Sequence, residues 1–509
     1  MGYIVGVSSG MFMTATQEEK AQFLTVPRKI FRGGLEGVNF TQLDIESITE
    51  FVEPYLKEET KKIRDLGIRF GVHGESYAMG GAEKPIGMMD SAIETEYFHC
   101  HERLIQHIKG CGMIKAEYVN IHPSETTSFI RLGMHLQPAK LVDFWGRSLK
   151  DFLKENTKVL DWLVESIKKG FIKITHISTY FYNIRDRKIR ELKKEEKDIT
   201  DEEYARIVNE TYKESLLEVV ESQELEYGSE KIAYYAIAKW MQDVNDPLWK
   251  SIVGKNIEEE KLIEKINDWV PAVAAKYIWG HFNPINTKKY KDPKPLLQKY
   301  NLYFVFESTM GSSGVEGMNR IFKPSHFIKM CQTIRSKWVC VCFDFEHVLS
   351  QNVDPKKDIE DIPFGAANLL KVCHLGFPTT HPTAHMPIPL GSKQQLWLYE
   401  RLWELRKKGF KDGYLIFERG SAPRDKSLIA LKIIKQYLEK DVPPMELPLS
   451  FYGMEPEGPD LKREEVMMRE HFMAPLKGLL AVPEEEYTFL SKTAVGKGKT
   501  EEWKKEKYK

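Results

Sequence analysis

Short apolar runs alternate with amphipathic stretches at both ends of the chain. The runs YIVGVS (3–8), LEGVNF (35–40), IRFGVH (68–73), EYVNIH (117–122), LYFVFE (302–307), WVCVCFD (338–344), LLKVCHL (369–375) and GYLIFE (413–418) predict eight strands. Most are continuously apolar, the pattern of parallel strands covered on both faces. Between them lie helical patterns such as SAIETEYFHCHERLIQHIKGCG, SHFIKMCQTIRSK and SKQQLWLYERLWELRKKG, and DKSLIALKIIKQYLEK follows the last strand. Eight such units predict an α/β fold, a (β/α)8 barrel. A doubly wound open sheet would need a Gly-rich first turn, and GVSSGMF is a poor match to GxGxxG.

The interval between the fourth and fifth strands is far longer than an ordinary crossover, about 180 residues. It predicts a large helical insertion. The expected organisation is a first barrel half at 1–170, a helical insertion subdomain at 171–290, a second barrel half at 291–440 and a C-terminal extension at 441–509. An insertion after a strand emerges on the face where barrel loops form active sites, so it is placed to act as a lid or as an outer buttress.

Charge narrows the picture only slightly. Lys+Arg and Asp+Glu each total 74, so the chain carries no overall basic signature for nucleic acid, although a local basic groove is compatible with neutrality. The six cysteines show no CxxC pairing and fall in predicted helices and apolar strands, which points to reduced thiols in a cytoplasmic protein. No leader pattern opens the chain, and no stretch approaches the roughly 18 apolar residues of a membrane span.

The chemistry lies at the strand ends. In such a barrel, reactive residues gather at the C-terminal rim, and six consecutive predicted strands end in His73, His122, Glu307, Asp344, His374 and Glu418. With 14 His and 74 Asp+Glu in 509 residues, such a run is not expected by chance. His347 lies three residues past Asp344, a short step beyond the strand, and His385 follows the seventh strand in a Pro/Thr-rich loop that also holds His381. A lone His or Glu at a strand end is usually a satisfied polar residue. So many on one rim would repel or stay desolvated without a cation. Mixed imidazole and carboxylate donors suit divalent transition ions, zinc first, with manganese, iron or cobalt as alternatives. Tyr77 and His381 are the candidate substrate contacts.

Three stretches carry a resemblance. IRFGVHGESY through EYVNIHPSE resembles the segment of the endonuclease IV family that joins its first two histidine ligands. FESTMGSSG resembles that family's Glu-Asn-Thr-Ala-Gly strand end, and VCVCFDFEH its Gly-Val-Cys-hydrophobic-Asp-x-Cys-His signature. The similarity is scattered over the barrel; the insertion and tail have no counterpart. The wider group is the xylose isomerase-like barrels, which include sugar isomerases and epimerases.

The resemblance implies two or three ions per chain. One would be held by His73, His122 and Glu307, and a second by Glu307, Asp344, His374 and Glu418. A third would use His347 and the His of an Asp-x-His pair, but here that pair reads Thr383-Ala384-His385, with His381 the substitute donor. The family's Asn-Asp-Ser-Lys after the seventh-strand His is Gly376-Phe377-Pro378-Thr379, so the contacts of that loop to DNA are not carried over.

The expected activity is hydrolysis of a phosphodiester, abasic-site DNA in the family's case, with Glu307, Glu418 and His347 as catalytic residues and metal-activated water as nucleophile. The alternative is a sugar or sugar-phosphate isomerase or epimerase, which needs only Glu307, Asp344, His374 and Glu418 around one ion. In that case the substrate is a small phosphorylated or sugar molecule rather than DNA. A non-enzymatic barrel that binds partners through its insertion is a third reading, opposed by the number of retained donors.

Overall fold

Eight parallel strands close in chain order in this computed structural model: β1 Tyr3–Ser8, β2 Phe40–Asp44, β3 Arg69–His73, β4 Tyr118–Ile121, β5 Tyr303–Phe306, β6 Val339–Asp344, β7 Leu370–Leu375 and β8 Gly413–Phe417. β8 pairs back onto β1, with Tyr3 beside Gly413 and Val7 beside Phe417. The described residues are 2–10, 25–35, 37–45, 47–52, 55–75, 85–125, 140–174, 177–194, 199–221, 230–311, 319–376, 387–418 and 424–454. The chain divides into two compact units, Met1–Leu447 and Pro448–Lys509, and the barrel lies in the first.

Among the described residues the helices are α1 Val26–Leu35, α2 Leu56–Asp65, α3 Glu94–Ile114, α4 Leu149–Glu155, α5 Thr157–Lys168, α6 Ile177–Lys194, α7 Asp201–Glu221, α8 Glu230–Asp243, α9 Ile266–Phe282, α10 Lys294–Tyr300, α11 Pro324–Ile334, α12 Phe345–Ser350, α13 Pro355–Glu360, α14 Lys393–Lys407 and α15 Arg424–Glu439. Among the described residues, no helix is long and apolar enough to cross a membrane.

Seven predicted strands fall within one or two residues of the observed ones, and the second does not. LEGVNF is where α1 ends and the chain enters β2, whose sequence is FTQLD. Every residue of that strand is buried, including Thr41, Gln42 and Asp44. A strand that points polar groups into a barrel has no continuous apolar run, which is why periodicity passed over it.

Side chains fill the barrel interior. Phe40, Tyr118, Val305, Cys340, Cys342, Val372, Tyr414 and Ile416 form one buried cluster. The Phe40, Tyr118 and Tyr414 rings meet with centroids 4.6 to 5.8 Å apart. Gly71 makes room for them, because a Cβ there would sit 2.3 Å from the Tyr118 ring. All six cysteines are free and buried.

The insertion is packed into the barrel wall. α7 lies against α4 and α5, α8 against α5 and α9, and α9 against α11. Phe282 at the end of α9 meets the rings of Phe304 and Phe306 on β5 at 5.2 and 5.4 Å. α9 is buried on nearly all sides, so its apolar residues mark no single face. Its one interior Lys, Lys276, pairs with Asp246 at 2.7 Å. The Lys276 ammonium also lies 4.2 to 5.4 Å from the rings of Trp279, Phe144 and Trp240, the arrangement that steadies a desolvated cation.

Two buried histidines tie α3 to α9. His101 donates from Nε2 to the Lys291 carbonyl (2.9 Å) and its Nδ1 lies 3.2 Å from Nδ1 of His281. Burial pulls His101 from 6.5 down to about 4, and His281 falls further. The unfolded chain therefore binds these protons first, and stability is lost as the pH falls from 6.5 to about 4. His101 alone accounts for about 3 kcal/mol over that window. In urea titrations at pH 7 and pH 5, His101→Gln, which keeps a donor for Lys291, is expected to lose less stability on acidification than the parent. An equal loss in both would exclude this pair as an acid-sensitive element.

Candidate metal centre

Strand ends determine what meets at the mouth. β3 and β4 deliver His73 and His122, and β5 to β8 deliver Glu307, Asp344, His374 and Glu418. All but Glu418 are at least nine-tenths buried, and Glu418 is nearly so. Their donor atoms fall into two groups, each within 4.8 Å: His73, His122 and Glu307, then Glu307, Asp344, His374 and Glu418. Glu307 belongs to both.

The four-donor group centres on one nitrogen. Nδ1 of His374 lies 3.0 Å from Glu307 Oε1, 3.3 Å from Asp344 Oδ2 and 3.4 Å from Glu418 Oε2. On the far side of the ring, Nε2–H donates to Gln42 Oε1 at 2.9 Å. That bond holds the ring with Nδ1 facing the carboxylates, where an ion would take the place of its proton, as outer partners of metal-binding imidazoles commonly arrange.

The three-donor group is arranged similarly. Nε2 atoms of His73 and His122 are 3.1 Å apart, and lie 3.4 and 3.9 Å from Glu307 Oε2. The Nδ1–H of His73 donates to the Gly74 carbonyl at 3.0 Å, so its Nε2 is the free donor. The two facing imidazole nitrogens, turned towards one another and a carboxylate, suit a cation that would displace the proton held between them.

The Asp344-x-x-His347 step has a local cause. Asp344 ends β6 in an extended conformation and caps α12, its Oδ1 accepting from the His347 backbone N–H at 2.8 Å. Oδ2 remains with the four-donor group. The cap turns His347 inward, where Nδ1–H meets the Ser308 carbonyl at 2.8 Å and Glu307 Oε1 at 3.0 Å. Among the described residues His347 joins neither donor group, and it borders both through Glu307. Tyr77, His381, Thr383 and His385 lie outside the described residues.

Charge at the mouth is strongly coupled. Burial alone would raise the Glu307 carboxyl, but the His374 and His122 charges and hydrogen bonds from His347 and His374 hold it well below the carboxylate range. Burial opposes protonation of His73 and His347, yet the facing carboxylates push them up to about 9 and about 10. His122, dominated by burial, drops to about 3. Protons on imidazoles thus balance the carboxylates, and a divalent cation is the natural replacement for those protons. The donors present fit such an ion.

Several groups at the mouth carried no signal in the strand-end pattern. Asn120 on β4 donates from its amide to Glu307 Oε2. Gln42 orients His374, and Asp44 ends β2 beside His73. Cys342 Sγ, two residues below Asp344 on the same face, also comes within reach of Glu307 and His374. Burial raises its thiol well above the usual range, which makes it a poor donor beside three carboxylates.

No protein-family profile matches the chain. No curated protein matches it. Among solved structures, a D-tagatose 3-epimerase-like protein shares 12% identity over 86% of this chain and 98% of its own, with a TM-score of 0.40. A 3-keto-D-glucoside 4-epimerase from E. coli shares 7% over 85% and 99%, also at 0.40. An L-ribulose 3-epimerase shares 10% over 87% and 96%, again at 0.40. At such identities and scores these structures transfer neither family nor activity, and only the residues of this chain bear on its chemistry.

Proposed function

We propose that the chain is a divalent-metal-dependent enzyme that moves a proton beside a carbonyl in a sugar or sugar phosphate, an isomerase or epimerase. The carrying observation is the four-donor group: three carboxylates from β5, β6 and β8 surround one imidazole nitrogen of β7. One ion held there would polarise adjacent oxygens of a substrate, with coordination positions left open. Glu307 and Glu418 stand on the outer two of these four strands, so two carboxylates flank the bound carbon skeleton and can take and return its proton. Glu307 is ionised at neutral pH, as a base must be. The Gln42 bond keeps His374 from rotating out of the group.

The test is solvent exchange. Protein loaded with Mn²⁺, Co²⁺ or Zn²⁺ and incubated with a panel of ketoses in D2O is expected to place deuterium on the carbon beside the carbonyl. Glu307→Gln and Glu418→Gln should each stop this, while His73→Ala should leave it running. Absence of exchange with every ketose and keto-sugar phosphate would remove the reading.

A second reading, hydrolysis of a phosphate ester, is favoured by one specific observation. The two oxygens of Glu307 are divided, Oε2 towards His73 and His122 and Oε1 towards His374 and His347. That is the disposition of a carboxylate bridging two ions, a pair suited to phosphoryl chemistry. Here His73→Ala and His122→Ala should each abolish cleavage of abasic-site DNA or a simple phosphodiester. Two bound ions per chain would support hydrolysis, and one would support proton transfer.

A further inference from the structure

We propose that β2, which brings no donor to either metal group, is the strand that recognises the substrate, with the Asp44 carboxylate accepting hydrogens from the hydroxyls of a neutral, polyhydroxylated molecule. The proposal rests on the proton-transfer reading of the same mouth. Asp44 is the last residue of β2, lies directly beside His73 in the sheet register and is 3% exposed. The mouth residues whose charges act on it are His73 and Glu418, which places it on the arc between β8 and β3, across the barrel from β5 and β6.

Half of this carboxylate is already committed. Oδ2 accepts from the Ser9 hydroxyl at 3.1 Å and from the Gly10 backbone N–H at 2.7 Å, while Ser9 Oγ accepts from the Asp44 N–H at 2.9 Å. Oδ1 accepts no hydrogen bond among the described residues. Lys29 donates to the Asp44 main-chain carbonyl (3.0 Å) and to Glu50 (2.7 Å) rather than to the Asp44 carboxylate. Asp44 is therefore a rigid, buried carboxylate with an unused acceptor oxygen.

A second, independent group points the same way. Gln42, two residues earlier on the same strand face, spends its Oε1 on Tyr118 and His374 and leaves Nε2 fully buried without a partner. A buried amide donor left unmade is costly, and a ligand hydroxyl or an intervening water would satisfy it. One strand thus offers an acceptor above and a donor below, matching hydroxyls, which both give and accept. Charge decides between ligand classes. Asp44 and Glu418 would repel a phosphate on this side of the mouth, whereas a neutral polyol pays no such penalty.

The test is calorimetric titration of the metal-loaded protein with a straight-chain five-carbon alditol, and in parallel with inorganic phosphate. Asp44→Asn keeps an acceptor for Ser9 and Gly10 but lacks the charged acceptor at Oδ1. It is expected to weaken alditol binding at least about tenfold, the worth of a charged hydrogen bond, to leave metal content unchanged and to strengthen rather than weaken phosphate binding. Asp44→Ser serves as a second variant should the first fail to fold. Alditol affinity unchanged in a folded variant overturns the proposal. So does a metal-loaded parent that binds phosphate and no alditol. Failure of the proton-transfer reading looks different: alditol binding that depends on Asp44, with no deuterium exchange in any ketose.

Discussion

Glu307→Gln is expected to strip the mouth of its metal and to stop turnover, whichever of the two chemistries operates. The residue is 0% exposed and both of its oxygens are in use. Oε1 faces His374 and His347, each at 3.0 Å, and Oε2 faces His73 at 3.4 Å and the Asn120 amide. An amide of the same shape places two hydrogens against groups that already need an acceptor, and no rotation of it satisfies both sides. The negative charge that keeps the neighbouring imidazoles charged is lost as well. Altering an outer-sphere partner alone costs about 10- to 100-fold in metal affinity or activity, so removing a shared ligand should exceed about 100-fold. Metal per chain after dialysis, measured by atomic emission beside deuterium exchange and phosphodiester cleavage, checks this. Retention of full metal content and full activity would dissociate Glu307 from the site.

Much of this arrangement is legible in the chain before any folding is known. Buried parallel strands must be apolar on both faces, so seven of them stand out as runs, and in each of the last six a His, Asp or Glu closes the run. Topology then converts sequence-distant ends into one rim, which is why His73 and Glu418 can be read together. What is not legible has physical causes too. Gln42 and Asp44 lie in the one strand whose polar residues hid it from the pattern, and Asn120 sits inside a recognised run rather than at its end. The violation of the rule is itself the mark of the mouth. The role of α9 is hidden for the opposite reason. It is apolar all round, so its sequence cannot say which face meets β5. Asp344 is intermediate: its spacing to His347 is visible, but the reason for that spacing, a cap on α12, appears only with the backbone.

The insertion is fastened to the mouth by a buried ion pair, and breaking it should carry the largest cost in stability. Arg320, 0% exposed, donates from both terminal nitrogens to Glu230 of α8 at 3.0 and 2.7 Å, and from Nη1 to the Asp90 carbonyl at 3.1 Å. Glu230 Oε1 also accepts from the Ala92 N–H at 2.8 Å. Asp90 in turn accepts from Ser124, two residues beyond His122, at 2.6 Å. Glu230→Ala leaves a guanidinium in the interior that cannot shed its proton, which costs about 3 to 5 kcal/mol. Replacing both partners with Met should recover much of that, since a packed apolar pair replaces a desolvated ionic one. Recovery at neutral pH stays incomplete, because Asp90 then loses the cation that opposes its burial. Burial already raises Asp90 from 3.8 to about 6. A carboxyl raised in the folded state gains a proton there before it does in the unfolded chain, so stability returns as the pH falls from about 6 towards 3.8. The double variant is therefore expected to approach the parent in urea midpoint at pH 5 and to trail it at pH 7.5. Equal midpoints for Glu230→Ala and the parent would show that the insertion is held elsewhere. Because Ser124 hangs from Asp90, the single variant should also weaken metal retention at His73 and His122 more than at His374, which links the wall of the barrel to its chemistry.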